Sequence, residues 1–192
     1  MNRVILEYWV DLRNENKETR HILYDFVDAL RLSVIALFLF FAFCVRFIGI
    51  SGTSMLPNLR DNDRVVLSAV NFSINRGDIV VVTMPWVDDV PIVKRVIAVG
   101  GDRVDIDFET GAVRVNGERL NETYINTPTN LSYDVRFPVT VKEGELFLLG
   151  DNRNNSLDSR SREIGMVDEN YVEGKVIIRL FPEFKIFKTE KM

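Results

Sequence analysis

The sequence predicts a mostly β protein: an antiparallel β domain with a smaller β lobe, anchored by one N-terminal transmembrane helix. Two observations carry this prediction. One long apolar run, residues 32–50, precedes most of the chain, and its length suits a membrane span. Beyond residue 60, short β-branched runs alternate with Gly, Pro and Asn, and no segment of useful length has the helical period.

The apolar run begins with fourteen uncharged residues, 32–45, and only Arg46 interrupts it before Ile50. As a helix, residues 32–50 would be about 28 Å long, close to a hydrocarbon core of about 30 Å. Arg46 lies near one end, where its side chain can reach the headgroups. A buried core helix and a cleaved signal peptide are the alternatives. The 31 preceding residues, with their six acids, do not resemble the start of a signal peptide, so we expect an uncleaved anchor.

Basic residues are more frequent before the run than just after it, which favours a cytoplasmic N-terminus. They are Arg3, Arg13, Lys17, Arg20 and Arg31 before the run, against Arg60 and Arg64 in the first twenty residues after it. We therefore expect a cytoplasmic segment at residues 1–31, the membrane helix at 32–50 and an extracytoplasmic domain at 51–192. His21, the single histidine, then lies on the cytoplasmic side.

Strand candidates fill the remainder of the chain. Residues 108–141 are polar and rich in turn residues, and we expect a smaller lobe or insertion there. Asn116-Gly117, after a short valine-rich run, predicts a hairpin. The seven strand candidates are residues 64–68, 78–83, 91–99, 112–115, 135–141, 145–149 and 171–181.

Composition excludes several functional classes. The chain has 24 Lys and Arg against 28 Asp and Glu, a net charge of −4, which argues against nucleic-acid binding. The single cysteine, Cys44, excludes an internal disulfide framework. With one histidine as well, a multi-cysteine or histidine-rich metal site is excluded. We expect no metal and no cofactor. A Ser-His-Asp triad would require His21 to reach the site.

A serine lies on a constrained loop directly after the apolar run. Ser54 is flanked by the flexible Gly52 and the rigid Pro57. The backbone N–H groups of such a loop can face a substrate carbonyl. The alternative is a plain linker, although a linker would not need the sequence Met-Leu-Pro.

A lysine lies within an apolar strand candidate. On a strand, Ile92, Lys94, Val96 and Ala98 share one face, and Arg95 points to the opposite face. Burial disfavours the charged ammonium, so the pKa of Lys94 should fall, and a neutral lysine can act as a general base. The alternative is an edge-strand lysine whose amine reaches solvent.

A third segment, residues 149–160, is dense in charges and hydroxyls. Such a stretch is usually a solvated loop. Here Asp158 and Arg160 are spaced to pair, and Ser156 can hold an amine, an arrangement suited to orienting a catalytic group. Together the three segments supply a nucleophile, a base and an orienting loop in a domain without histidine. A Ser-Lys dyad solves that problem.

These segments, in this order after an apolar helix, resemble those of the bacterial type I signal peptidases, over about residues 30–182. The short loops after Lys94 look more like those of the compact, single-span enzymes of Gram-positive bacteria than those of the larger two-span forms. The matching segments are Ser-Gly-Thr-Ser-Met-Leu-Pro at residues 51–57, Arg-Gly-Asp-Ile-Val-Val-Val at 76–82, the lysine segment at 94–102 and Gly-Asp-Asn-Arg through Arg160 at 150–160.

The resemblance implies a role for each matching residue. Ser54 would be the nucleophile, with its backbone N–H donating to the oxyanion, and Lys94 the general base. Ser156 would hydrogen-bond the lysine amine. Further supporting residues would be Asp151, Arg153, Asp158, Arg160 and Arg95. Residues lining the substrate pockets would be Ile48, Ile50, Gly52, Met55 and Val93.

The implied activity is removal of signal peptides from exported preproteins by a membrane-bound serine endopeptidase that cleaves after small residues at −1 and −3. The implied partners are the signal peptides, the phospholipid membrane and, functionally, the secretion translocon, without nucleic acid or cofactor.

Four positions depart from the family pattern. Asn58 replaces the threonine that often follows the proline, Gly101 stands where proline is common and Ala98 where glycine is common. Gly52 occupies a place where some members carry a serine that assists the oxyanion hole, and Thr53 is nearby.

Three other functional classes are alternatives. A self-cleaving repressor-type Ser-Lys peptidase would be soluble and carry a DNA-binding domain, which the apolar run and the acidic balance oppose. A catalytically silent β module would tolerate loss of Ser54 or Lys94, and both are present. The third class is a sortase-like or lipoprotein-processing enzyme. A sortase would need an outer Cys-His pair, whereas Cys44 lies in the expected span.

Overall fold

The computed structural model describes residues 20–39, 45–69, 73–87 and 89–189. The chain divides into two compact units, Met1–Phe43 and Cys44–Met192. In the first unit, residues 20–39 form a helix, α1. Its apolar side chains are exposed, Phe38 among them. Among the described residues, no helix is both long enough and apolar enough to cross a membrane.

The predicted helix of residues 32–50 is wrong at its C-terminal end. Residues 32–39 belong to α1, and residues 40–44 lie outside the described residues. Strand β1 (Val45–Gly49) then pairs antiparallel with β2 (Arg64–Ser68). The valine, phenylalanine and isoleucine of this segment suit a strand as well as an apolar helix, so the pairing with β2 decides the outcome.

The second unit is built from antiparallel strands, which confirms the prediction of a mostly β fold. A single turn of 3-10 helix, Glu169–Tyr171, leads into the longest strand. After β2, the described strands are β3 (Ile79–Val82), β4 (Ile92–Val99), β5 (Arg103–Asp107), β6 (Ala112–Val115), β7 (Glu118–Arg119), β8 (Val139–Thr140), β9 (Glu145–Leu149), β10 (Val167–Asp168), β11 (Val172–Phe181) and β12 (Lys185–Ile186).

These strands form two sheets. The larger has the order β1-β2-β11-β3-β4-β9-β10, with β12 paired to β11, and the smaller has the order β7-β6-β5-β8. Three predicted strands, β2, β6 and β9, have the observed bounds. The candidate at residues 135–141 shortens to β8, because the Val135 N–H donates to the Arg160 carbonyl outside either sheet. The smaller sheet also begins at Arg103, ahead of the expected residue 108.

The two sheets share a hydrophobic core. Ile97 and Phe147 from the larger sheet pack with Val104, Val113 and Val115 from the smaller one, all essentially inaccessible to solvent. A register irregularity between Val96 and Ala98 turns Ala98 into this shared core, so the expected single face of β4 does not extend that far.

The topology brings the three candidate segments together. β4 lies between β3 and β9, so Lys94 is opposite the buried Val80, and Arg95 is opposite Leu149, the last residue of β9 and the first of the third segment. The Ser54 loop joins the neighbouring strands β1 and β2. It is closed by backbone hydrogen bonds between Ile50 and the pair Asn62 and Asp63.

Candidate active site

The Ser54 loop is anchored in the core rather than serving as a linker. Met55, 2% exposed, and the fully buried Leu59 pack into the cluster beneath the larger sheet. The Leu59 N–H donates to the Met55 carbonyl at 2.9 Å, which closes a tight turn. Gly52 has a φ of +89°, a conformation that side chains disfavour, and its N–H donates to the Asp61 carboxylate at 2.9 Å. The turn therefore fixes the position of Ser54.

Lys94 and Ser54 are hydrogen-bonded across 40 residues of sequence. The Lys94 Nζ donates to the Ser54 Oγ at 3.0 Å, and the Lys94 side chain is almost completely buried. Burial lowers the pKa of Lys94 from 10.5 to about 8, against the opposing attraction of the Asp158 carboxylate. Once the amine is neutral, the same contact can reverse, with the Ser54 hydroxyl donating to Nζ. That geometry suits a base that removes the serine proton.

The third segment is held by buried ion pairs rather than by solvent. Arg160 contacts both oxygens of Asp158, at 2.8 and 2.9 Å, and both side chains are fully buried. Arg95 makes the same forked contact with Asp151, at 2.7 Å to each oxygen. The alternative of a solvated loop is therefore wrong, because the charged side chains of this segment are buried and paired.

Arg153 ties the segment to the smaller lobe. Its guanidinium donates to the Gly150 carbonyl and to the Thr129 hydroxyl, and it forms an ion pair with Glu122 at 2.6 Å. The predicted supporting residues therefore lie together around the loop that follows β9.

Two asparagines that the sequence did not single out join this loop to the Ser54 loop. The Asn152 N–H donates to the Ser54 carbonyl at 2.9 Å, and its side chain donates to the Thr53 carbonyl at 3.0 Å. The Asn155 side chain donates to the Thr53 hydroxyl at 3.0 Å. Thr53 thus faces the 150–160 loop. Only the contact of two segments distant in sequence reveals these roles.

The hydrogen bond expected between Ser156 and Lys94 is absent. Ser156 is buried and its hydroxyl has no hydrogen-bond partner among the described residues, because the Lys94 amine is directed at Ser54. Its carbonyl accepts from the Tyr133 hydroxyl at 3.0 Å. A Cβ on Gly150 would overlap the Ser156 side chain and lie 2.6 Å from the Ser54 carbonyl. Glycine at position 150 is therefore what lets the loops approach.

An apolar cleft of about 400 Å³ leads to the pair. Ser54 and Lys94 are part of its lining, and all five predicted pocket residues line it: Ile48, Ile50, Gly52, Met55 and Val93. Its other wall includes Val90, Pro91 and Ile92, which the sequence did not indicate. The part of the chain that the structure describes contains no group of three or more His, Cys, Asp or Glu side chains that could hold a metal ion.

Comparison with known proteins gives concordant matches. The signal peptidase family, peptidase S26, matches residues 23–181. A signal peptidase I of Bacillus licheniformis is 34% identical over 188 residues, covering 92% of this chain and 99% of that protein. A signal peptidase IB of Staphylococcus aureus is 31% identical over 185 residues, covering 85% and 93%. A solved signal peptidase I from Enterococcus faecalis is 30% identical and covers 54% of this chain and 97% of that chain, with a TM-score of 0.45.

The titration of Lys94 is a direct check on the site. Because burial disfavours the ammonium, we expect the Lys94 side chain to lose its proton with a midpoint near pH 8. The ¹³Cε shift of labelled lysine, followed from pH 6 to 11 by NMR, measures this midpoint, and the signal missing from the Lys94→Ala variant assigns it. A Lys94 midpoint above pH 10 would contradict the buried geometry.

Proposed function

Because the chain belongs to the signal peptidase family, peptidase S26, and is therefore a peptidase, we propose that it removes signal peptides from exported preproteins by a Ser54-Lys94 dyad. The observation that carries this proposal is the 3.0 Å contact between a buried lysine amine of lowered pKa and a serine hydroxyl in an apolar cleft. The unit from residue 44 onward contains no histidine, so Lys94 serves as the base.

The first chemical step transfers the Ser54 proton to neutral Lys94 while Oγ attacks the scissile carbonyl. The carbonyl oxygen becomes an oxyanion. The Ser54 backbone N–H makes no hydrogen bond among the described residues, so it can donate to that oxyanion. The Lys94 ammonium then gives its proton to the departing amine, the new N-terminus of the mature protein. The signal peptide remains as an ester on Ser54.

Hydrolysis of this ester follows the same order of proton transfers, with water as the nucleophile. Lys94, neutral again, takes a proton from the attacking water, and the ammonium returns it to the Ser54 oxygen as the signal peptide leaves. With a pKa near 8, about a tenth of Lys94 is neutral at pH 7, against less than a thousandth of an ordinary lysine. Burial thus supplies the base without a histidine.

Specificity for small residues at −1 and −3 follows from the cleft. Its walls are aliphatic, from Ile48, Ile50 and Val93, and Met55 is held rigidly in the core below. Interiors packed in this way do not accept extra volume without strain. Alanine-sized side chains would enter, and larger ones would overlap the walls.

The proposal includes a membrane anchor. Residues 32–45 carry no charge, and the anchor helix must end before Val45, where β1 begins. The N-terminus would be cytoplasmic and the unit from residue 44 extracytoplasmic, where exported preproteins emerge from the translocon.

Replacing either member of the dyad is the decisive test of the function. We expect Ser54→Ala and Lys94→Ala each to abolish cleavage, and the double variant to lose no more, because the two groups act as one unit. The measurement is cleavage of a purified preprotein by the full chain in detergent, with N-terminal sequencing of the product. Ser132→Ala and Lys142→Ala, both exposed, are matched controls. Near-normal turnover of either dyad variant would remove this mechanism.

Substrate preference tests the cleft. Replacing alanine by phenylalanine at −1 of the preprotein should lower kcat/KM by about fivefold to 150-fold, because overpacking costs about 1–3 kcal/mol. Enlarging the cleft by Val93→Ala should recover part of this loss. Equal processing of both substrates by the unaltered protein would show that the −1 side chain lies elsewhere.

A further inference from the structure

Asn58 occupies a junction that its place in the sequence does not explain. It follows Ser54 by four residues, and its N–H donates to the Met55 carbonyl at 3.0 Å within the turn that carries the serine. It is half-buried. The backbone carbonyl of Asn58 also accepts from Arg179 at 3.1 Å, so the residue is held from the larger sheet as well.

The side-chain amide of Asn58 joins three other segments. Its Nδ2 donates to the Tyr124 carbonyl at 2.7 Å and to the Asp151 carboxylate at 2.8 Å. Its Oδ1 accepts from Lys185 Nζ at 3.3 Å. Both amide hydrogens and the amide oxygen are therefore in use, and each leads to a different part of the fold.

Through Asp151, the Asn58 side chain contacts the 150–160 loop, which also contacts Ser54. Asp151 is fixed by the forked contact with Arg95, and the next residue, Asn152, donates its N–H to the Ser54 carbonyl at 2.9 Å. The 150–160 loop therefore contacts both ends of the turn, through hydrogen bonds to Thr53 and Ser54 at one end and through Asn58 at the other. Contacts at both ends restrict the tilt of the turn in a way that contacts at the Thr53-Ser54 end alone do not.

The chemistry of the junction requires an amide. An asparagine side chain carries two N–H donors and one acceptor, whereas a threonine hydroxyl carries a single donor on a shorter arm. Threonine therefore cannot bridge Tyr124 and Asp151 together. Aspartate has the same shape, but it would place a carboxylate oxygen against the Asp151 carboxylate and the Tyr124 carbonyl.

We propose that Asn58 is a positioning residue for the peptidase reaction: its side-chain amide locks the Ser54 turn to the Asp151 loop and to the smaller lobe, and so fixes Ser54 against Lys94. The inference rests on the proposed function of the Ser54-Lys94 pair. It concerns a residue that touches neither the substrate cleft nor the dyad.

Asn58→Asp and Asn58→Thr, in the full chain, test this role kinetically. In both variants kcat should fall about tenfold to a hundredfold, the range expected when a hydrogen bond to a charged group is lost. KM should change less than about threefold, because the cleft walls are not altered. In Asn58→Asp alone, the rising limb of the pH profile should also move to higher pH, because another carboxylate beside Asp151 favours the Lys94 ammonium.

Asn126→Asp is the matched control, since it adds the same charge at an exposed position of the smaller lobe. Unchanged kcat in both Asn58 variants, or an equal fall in Asn126→Asp, would overturn the proposal. So would a loss of kcat that follows the unfolded fraction measured by thermal denaturation under the assay conditions.

A second measurement separates this inference from the proposed function. Hydrogen exchange of the Asn152 amide, which donates to Ser54, should accelerate in Asn58→Asp and stay unchanged in Asn126→Asp. If the unaltered protein cleaved no preprotein, the proposed function would fail, and the exchange rate would still decide whether Asn58 locks the loops. Equal exchange in all three proteins would reject the lock even if cleavage proceeds normally.

Discussion

The site depends on the removal of one amine from water. Lys94 is useful as a base because burial lowers its pKa to about 8. Two neighbouring carboxylates, those of Asp158 and Asp151, act in the opposite direction and raise this pKa. Each of these carboxylates is paired with its own buried arginine, Asp158 with Arg160 and Asp151 with Arg95. The pairs balance the loop's charges locally, so the loop can approach the lysine without restoring its ammonium form.

The antiparallel sheet explains how such a site is assembled from distant segments. β4 carries Lys94 between two neighbouring strands, and β9 delivers the 150–160 loop directly beside it. The Ser54 turn arrives from the β1–β2 connection and is fixed by Met55 and Leu59 in the core. Because the core extends into the smaller sheet, the lobe that supplies Tyr124 is part of the same packed body.

Most strands and the burial of Lys94 could be predicted from the sequence, because strands and their alternation are local features. The β-branched runs predict most strands, and the apolar neighbours of Lys94 predict its burial. The helix expected to reach Ile50 ends earlier, since an apolar segment suits a strand as well as a helix until its partner β2 is known. Asn58, Asn152 and Tyr124 acquire their roles only through contacts with segments far along the chain. Ser156 was expected to hydrogen-bond the Lys94 amine, but that amine is directed at Ser54, and the Ser156 hydroxyl has no partner among the described residues.

The dependence of kcat/KM on pH tests the central claim most directly, because it reports the ionisation of the essential base in the free enzyme. Lys94 is active when neutral, so the rate should rise with pH through one ionisation. Its midpoint should lie near 8 and coincide with that of the Lys94 side chain. A rate that does not vary between pH 6 and 10, or a midpoint at the value of an ordinary exposed lysine, about 10.4, would contradict the account.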